Sequence, residues 1–350
     1  ACFRNEVSAF DTDGNGFFSG DEIAAVTEIS CISKGISSLE GIAYFKSLEK
    51  LFCQGNKLSI IDLRGNTALK ELCCSRNPLT SLDISNNTAL EKLDFSGAGI
   101  TSIDISNNKA LISLNCFKNR SLTSLDLSNN PELEILNCSY NKISSLDLSH
   151  NTELTTLECT QNGLMALDIS NNTKLISLYC DQNNISSLDL SKNTSLEILE
   201  CSQNTVSSLD TSSNTALRTL YCYYNNISSL DISENADLIN ISCYGNQITS
   251  LDTSSNTKLK EMYCSDNRLS SLDIGNNTEI TYLNCEKNKI AHLDISKNDK
   301  LTTLRCAYNE LTSLTTGDNT ELKYLSCSDN LLTNLDIGRC TALTSIGCSN

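Results

Sequence analysis

Basic residues are scarce and scattered. In 350 residues, 26 Lys and Arg stand against 42 Asp and Glu, a formal charge of −16 with an isoelectric point near 4.5. Nucleic acid and anionic membrane surfaces both require clustered Lys and Arg, so neither is an expected partner. No apolar stretch reaches about 18 residues, which excludes a membrane-spanning helix, and no secretory leader is present; a start at Ala1 rather than Met fits a removed leader or tag. Histidine is limited to His150 and His292, which fall in different repeat columns. With no nucleophile elbow, phosphate loop or converging acid pair either, catalysis is not expected.

What the chain has in abundance is repetition. A chain of this length would ordinarily suggest two or three globular domains, but "LISLYCDQNNISSLDLSKNTS" (175–195) is followed at once by "LEILECSQNTVSSLDTSSNTA" (196–216) in the same order of residue classes. The unit L-x-x-L-x-C-x-x-N-x-L-x-x-L-D-L-S-x-N-x-x opens with a leucine-rich-repeat signature, and Asn and Gly interrupt it before a helical turn can propagate. Its cysteine slot runs from Cys31 to Cys348 in sixteen rungs, fifteen of them Cys and one Phe95. The expected fold is a β-dominated leucine-rich-repeat solenoid: about sixteen short parallel strands in one long sheet, roughly 75 Å at about 4.8 Å per strand. The ten-residue second half of each unit is too short and too poor in helix formers for a covering helix, so a turn-rich or strand-like opposite face is expected. The Asn slot (Asn141, Asn162, Asn183) is expected to satisfy turn backbone groups of the next coil. Around Phe95, Gly97 and Gly99 replace the usual Asn segment and the following coil carries an extra residue between Asn119 and Leu122, which reads as volume compensation or as a functional notch. Residues 26–350 form the predicted solenoid, which stops mid-repeat at Asn350, so a longer natural product is expected.

The repeated cysteine could be a disulfide framework, a metal string or core. Equivalent Cβ atoms on neighbouring in-register strands lie about 4.8 Å apart, whereas a disulfide needs about 3.8 Å, and a straight row of sulfurs offers no tetrahedral cluster. Free, buried thiols packing as small hydrophobes are therefore expected, in a reducing or anaerobic setting unless burial alone protects them. Cys2, Cys73 and Cys340 lie off the ladder and are the expected exposed thiols. A second column, the Asp of "LDLS" from Asp62 to Asp336, holds thirteen carboxylates and accounts for all but three units of the net charge. Neighbouring charges would repel by roughly 0.9 kcal/mol in water; Ser85, Ser149, Ser170 and turn N–H groups could offset this, or a row of weak calcium sites could.

Before the first rung, "DTDGNGFFSGDE" (11–22) satisfies the EF-hand loop pattern throughout. Asp11, Asp13 and Asn15 would supply side-chain oxygens, Phe17 a carbonyl, Ser19 a direct or water-mediated ligand and Glu22 a bidentate carboxylate, together holding one calcium ion. Phe3, Val7 and Phe10 would face inward from an entering helix, and Ile23, Val26 and Ile29 from an exiting one, making residues 1–25 a helical cap over the first coil. A degenerate, metal-free loop is the alternative. This start, the join "ISSLEGIAYFKSLEKLFCQGNKLSIIDLRGN" (36–66) and the LxxLxCxxN…SLDLSxN units resemble internalin-like bacterial surface leucine-rich-repeat proteins along essentially the whole chain. The resemblance implies a secreted or cell-surface protein whose strand face binds host or extracellular ligands. In that family the cap is not a working calcium site, so the complete loop here is a departure that favours metal; Cys for Leu in the strands is a second departure.

Tyrosine is concentrated beside the ladder. Tyr140, Tyr179, Tyr221, Tyr223, Tyr224, Tyr244, Tyr263, Tyr282, Tyr308 and Tyr324 occupy outward positions around the Cys slot, ten of the eleven in the chain. Exposed aromatic rings on a rigid sheet favour a protein or carbohydrate partner, although cross-strand pairing alone would also place Tyr there. The expected function is an adhesin-like binding module, with a spacer or self-associating rod as the alternative.

Overall fold

The computed structural model describes residues 10–349; Cys2, Phe3 and Val7 lie outside the described residues. The chain divides after Asn172 into two compact units. The first carries helix α1 (Gly20–Ala25), a 3₁₀ turn (Ile42–Tyr44) and seven strands: β1 (Glu28–Ser30), β2 (Lys50–Phe52), β3 (Glu71–Cys73), β4 (Lys92–Asp94), β5 (Ser113–Asn115), β6 (Ile135–Asn137) and β7 (Thr156–Glu158). The second carries β8 (Ser177–Tyr179), β9 (Ile198–Glu200), β10 (Thr219–Tyr221), β11 (Asn240–Ser242), β12 (Glu261–Tyr263), β13 (Tyr282–Asn284), β14 (His292–Asp294), β15 (Thr303–Arg305), β16 (Ser313–Thr315), β17 (Tyr324–Ser326) and β18 (Ser345–Gly347). The two units build their coils alike. Within each unit every strand has three residues and pairs in parallel with its equivalent in a neighbouring coil, as in Thr219↔Asn240, Leu220↔Ile241 and Tyr221↔Ser242. The fold is thus the expected parallel β-solenoid with very little helix. Its far side is made of turns apart from the parallel pair β14 and β16.

The central strand residue and the following Cys both point inward, so Leu220 and Cys222 are fully buried while Tyr221 and Tyr223 are half exposed. Burying a Leu side chain contributes about 1.5–3 kcal/mol, and the coil repeats that gain at several slots. The cysteines among the described residues are free thiols. Burial pushes the Cys138 and Cys243 thiols up to about 12, so both stay protonated and act as apolar filler. One off-ladder expectation, and the restriction of exposure to off-ladder thiols, need correction. Cys340 is 5% exposed because it fills a buried Asn slot, whereas ladder residue Cys348 is exposed; Cys73 is half buried. Phe95 is fully buried with Ala98, also buried, in the Asn slot, consistent with a large ring offset by a small neighbour. The extra residue is visible in the register: β5 and β6 pair Ser113↔Ile135, one residue beyond the usual repeat.

Two asparagine ladders tie coil to coil. In the first, Asn225 Nδ2 donates to the carbonyls of Cys201 (3.0 Å) and Cys222 (3.1 Å), and its Oδ1 accepts from Val206 N–H at 3.0 Å. The amide therefore serves its own and the preceding coil, not the next one as expected. The second ladder, unmarked in the sequence reading, is the Asn of S-x-N. Asn256 Nδ2 reaches the carbonyls of Ile232 (2.9 Å) and Asn235 (2.8 Å), yet its Oδ1 is buried without a donor, as are those of Asn214 and Asn298. Asn235 and Asn277 differ: Thr211 and Thr253 Oγ1 donate to their Oδ1 atoms at 2.8 and 2.7 Å.

The Asp column is held locally. Asp83 Oδ1 accepts from Ser85 N–H (3.1 Å) and Oγ–H (2.7 Å), and the Asp126–Ser128 pair repeats this. Hydrogen bonds from the Ser85 hydroxyl and then its N–H hold the Asp83 carboxyl below the usual carboxylate range. At the start of the chain, α1 ends at Ala25, and Ile29 is the centre of β1 rather than part of an exiting helix. Pairing with β2 claims the β-branched Ile29, and the helical spacing loses to the sheet. Phe10 packs edge-on against Phe45, with ring centroids 6.5 Å apart. A Cβ at Gly65 would lie 2.2 Å from the Ala43 carbonyl oxygen, so a residue without a side chain is needed where the 3₁₀ turn meets this coil.

Candidate binding face

Each coil presents four outward positions: the two outer residues of the strand and the two residues after the ladder Cys. The last of these turns the backbone into the left-handed region, with φ of 51° at Tyr224, 56° at Tyr308 and 66° at Gly245. That turn projects Tyr224 and Tyr308 from the surface, and they are 52% and 56% exposed.

In the second unit the predicted tyrosines converge. Tyr223 and Tyr244, on successive coils, stack at 4.6 Å with planes 6° apart, and Tyr224 meets the Tyr244 ring edge-on at 4.9 Å. Gly245 makes room for this cluster, because a Cβ there would come within 2.4 Å of Tyr224 Cδ1. Tyr263 and Tyr282 form a second stack at 4.7 Å. Tyr221 occupies the strand position just before Cys222, and Tyr179 occupies the corresponding position in β8. Tyr308 has no ring partner among the described residues. Phe117 and Tyr140 form a smaller pair in the first unit, with centroids 5.1 Å apart.

Carboxylates share this face and went unremarked in the sequence, although they occupy the same columns as the tyrosines. Glu200 is half buried, and burial followed by the charge of Asp181 raises its pKa. Glu261 accepts from Tyr263 Oη at 3.1 Å, Asp181 accepts from Ser202 N–H at 2.8 Å, and Glu286 accepts from Ser326 Oγ at 3.1 Å. Burial and then the Glu261 charge push the Tyr263 phenol up to about 12, so it remains a hydrogen-bond donor at neutral pH.

The loop 11–22 is a separate cluster. One carboxylate oxygen from each of Asp11, Asp13 and Glu22 lies within 4.8 Å of the others. Asp11 Oδ2 accepts from Gly16 N–H (2.7 Å), and Asn15 Oδ1 accepts from Phe17 N–H (2.8 Å). Ser19 caps α1 in a reciprocal box with Glu22, whose Oε1 also accepts from Thr12 N–H (2.6 Å). These bonds, led by the Ser19 N–H, lower the Glu22 carboxyl to about 2. Three anionic carboxylates with an all-oxygen donor set fit a hard divalent cation such as calcium.

No family model matches the chain, and no curated protein matches it. Among solved structures, the functional domain of InlJ from Listeria monocytogenes, which includes a cysteine ladder, is 35% identical, superposes with a TM-score of 0.93 and covers 97% of this chain and 76% of its own. A leucine-rich-repeat protein of Leptospira interrogans is 21% identical with a TM-score of 0.74, over 93% of this chain and 97% of its own. The internalin InlF of Listeria monocytogenes is 21% identical with a TM-score of 0.62, over 100% of this chain and 95% of its own. The last two share the fold; the first, itself described as including a cysteine ladder, is 35% identical over nearly the whole chain, and on that likeness the chain belongs to the internalin-like leucine-rich-repeat proteins.

Proposed function

We propose that the chain is a secreted or cell-surface bacterial binding module, adhesin-like and non-enzymatic, that captures a protein or glycan partner on the tyrosine-bearing strand face of its second unit. The observation supporting this is the clustering of Tyr223, Tyr224 and Tyr244, with Tyr263 and Tyr282 stacked two coils further on. Aromatic rings held by one another and by a rigid sheet lose little conformational freedom on binding and offer large contact area. A screen of the intact chain against host proteins and glycans, repeated with Tyr221, Tyr223, Tyr224 and Tyr263 changed to Ser, tests it. Each retained partner is expected to lose at least about 30-fold in affinity, the scale of a hot spot of 2 kcal/mol. Binding unchanged in every case would overturn the reading and favour a spacer or self-associating rod.

The reading extends to the cap. Asp11, Asp13, Asn15, Ser19 and Glu22, with the Phe17 carbonyl, would hold one calcium ion, which supplies positive charge against the three carboxylates and ties the EF-hand-like loop to α1. Calcium at 100-fold over its dissociation constant is expected to stabilise the protein by about 2.7 kcal/mol, read as a rise in melting temperature that Glu22→Gln abolishes. A melting temperature indifferent to calcium rules out a stabilising site.

A further inference from the structure

From β8 to β13 the tyrosine face is also strongly acidic. Over these six coils the four outward columns carry Asp181, Glu200, Glu261, Asp266 and Glu286 against one cation, Lys287. The carboxylates alternate with rings. Glu200 lies in register between Tyr179 and Tyr221 on the flanking strands. Glu261 lies in register with Tyr282 and holds the Tyr263 hydroxyl.

The unit does not lack bases; it places them elsewhere. Arg218–Glu197, Lys258–Asp237 and Lys300–Glu279 pair successive coils away from this face. Among the described residues no salt bridge reaches Glu200, Glu261 or Glu286, and no hydrogen bond reaches the half-buried Glu200 carboxylate. A partly desolvated anion without a partner is unfavourable, and a cation delivered by a ligand removes that cost. The face also supplies an example of the complement: the Arg305 guanidinium lies 5.2 Å from the centre of the Tyr324 ring.

We propose that the partner docks through a basic polypeptide segment whose arginines stack on the face tyrosines and pair with Glu200 and Glu261. This rests on the binding-face reading and narrows its partner from any protein or glycan to a cationic peptide. A planar guanidinium meets both demands at once, lying over an aromatic ring while its N–H fork engages a carboxylate. Glu200 and Glu261 are three strand spacings and two residues along the strand apart, about 16 Å, which about five residues of extended chain cover.

The test is fluorescence anisotropy of labelled nona-arginine, nona-glutamate and a Gly-Ser nonapeptide with the intact protein at 150 mM salt. Two triple variants are compared: Glu200→Gln with Glu261→Gln and Glu286→Gln on the face, and Asp210→Asn with Asp231→Asn and Asp252→Asn in the turn column. Both remove the same charge, and both are checked for an unchanged fold by circular dichroism. The expected result is binding of nona-arginine alone, weakened at least tenfold by the face triple and less than threefold by the turn triple. No binding of nona-arginine, or equal weakening by both triples, overturns the inference, the second because it reveals general attraction to an acidic protein. If a partner from the screen depends on the tyrosines but ignores the glutamine triple, the cationic-peptide inference falls and the binding-face reading stands; if it depends on neither, both fall.

Discussion

Asn225→Ala is expected to lower the unfolding free energy by about 3–5 kcal/mol, as large an effect as a substitution in the apolar core. The side chain is 8% exposed. Its removal strands the N–H of Val206 and takes one of two amide donors from each of the Cys201 and Cys222 carbonyls, which keep Asn204 and Asn246. The unpaired N–H costs about 1–3 kcal/mol and each lost carbonyl bond about 0.5–1.5 kcal/mol, which together centre on the expected value. Asn226→Ala, at the exposed neighbouring position, is the control and is expected to stay within about 0.5 kcal/mol. Urea unfolding reads the global effect. Amide exchange at Val206 reads the local one, and its protection is expected to fall first because contacts in a solenoid are made only between neighbouring coils.

The second large effect is kinetic. A maleimide added to the native protein is expected to label Cys73, while the buried ladder thiols react at least about a thousandfold more slowly, at a rate set by opening of the coils. Two barriers combine. The sulfurs are out of reach, and burial raises their pKa, to about 12 at Cys138 and Cys243, so the reactive thiolate is also suppressed. Mass spectrometry of digests after timed labelling resolves the order. Reaction of Cys222 on the same time scale as Cys73 would contradict a closed interior.

The coil was legible because a fixed period leaves few ways to place Leu and Cys. Alternation around Cys222 alone assigns Leu220 to the inside and Tyr221 and Tyr223 to the outside. The direction of the asparagine bonds was not legible. A repeat gives the position of Asn225 but not whether its partner lies one coil earlier or one later, since both neighbours present equivalent backbone groups. Ile29 was misplaced for a related reason: its helical spacing from Ile23 and Val26 is real, but pairing with β2 is a contact with residues 22 positions away that no local pattern encodes. Asn256 resembled a turn residue among Ser and Thr, and only the stacking of coils buries it. Glu200 and Glu261 share their columns with tyrosines, so a reading by column rather than by residue type would have found them.

The unfilled acceptors of the second asparagine ladder bear on how such an array changes its sequence. Thr211 and Thr253 replace the Ile or Leu of neighbouring coils in a buried slot, where a hydroxyl needs an acceptor and the next coil's Asp231 or Asp273 carbonyl lies within reach. An otherwise idle oxygen on Asn235 or Asn277 stands in position as a second acceptor. Each coil that retains the aliphatic residue keeps the same acceptor in reserve, as Asn214, Asn256 and Asn298 do. Hydrophobic and hydroxyl side chains can therefore exchange at that slot, one coil at a time, without a compensating change elsewhere, and copies of the unit can drift apart while their stacking stays the same.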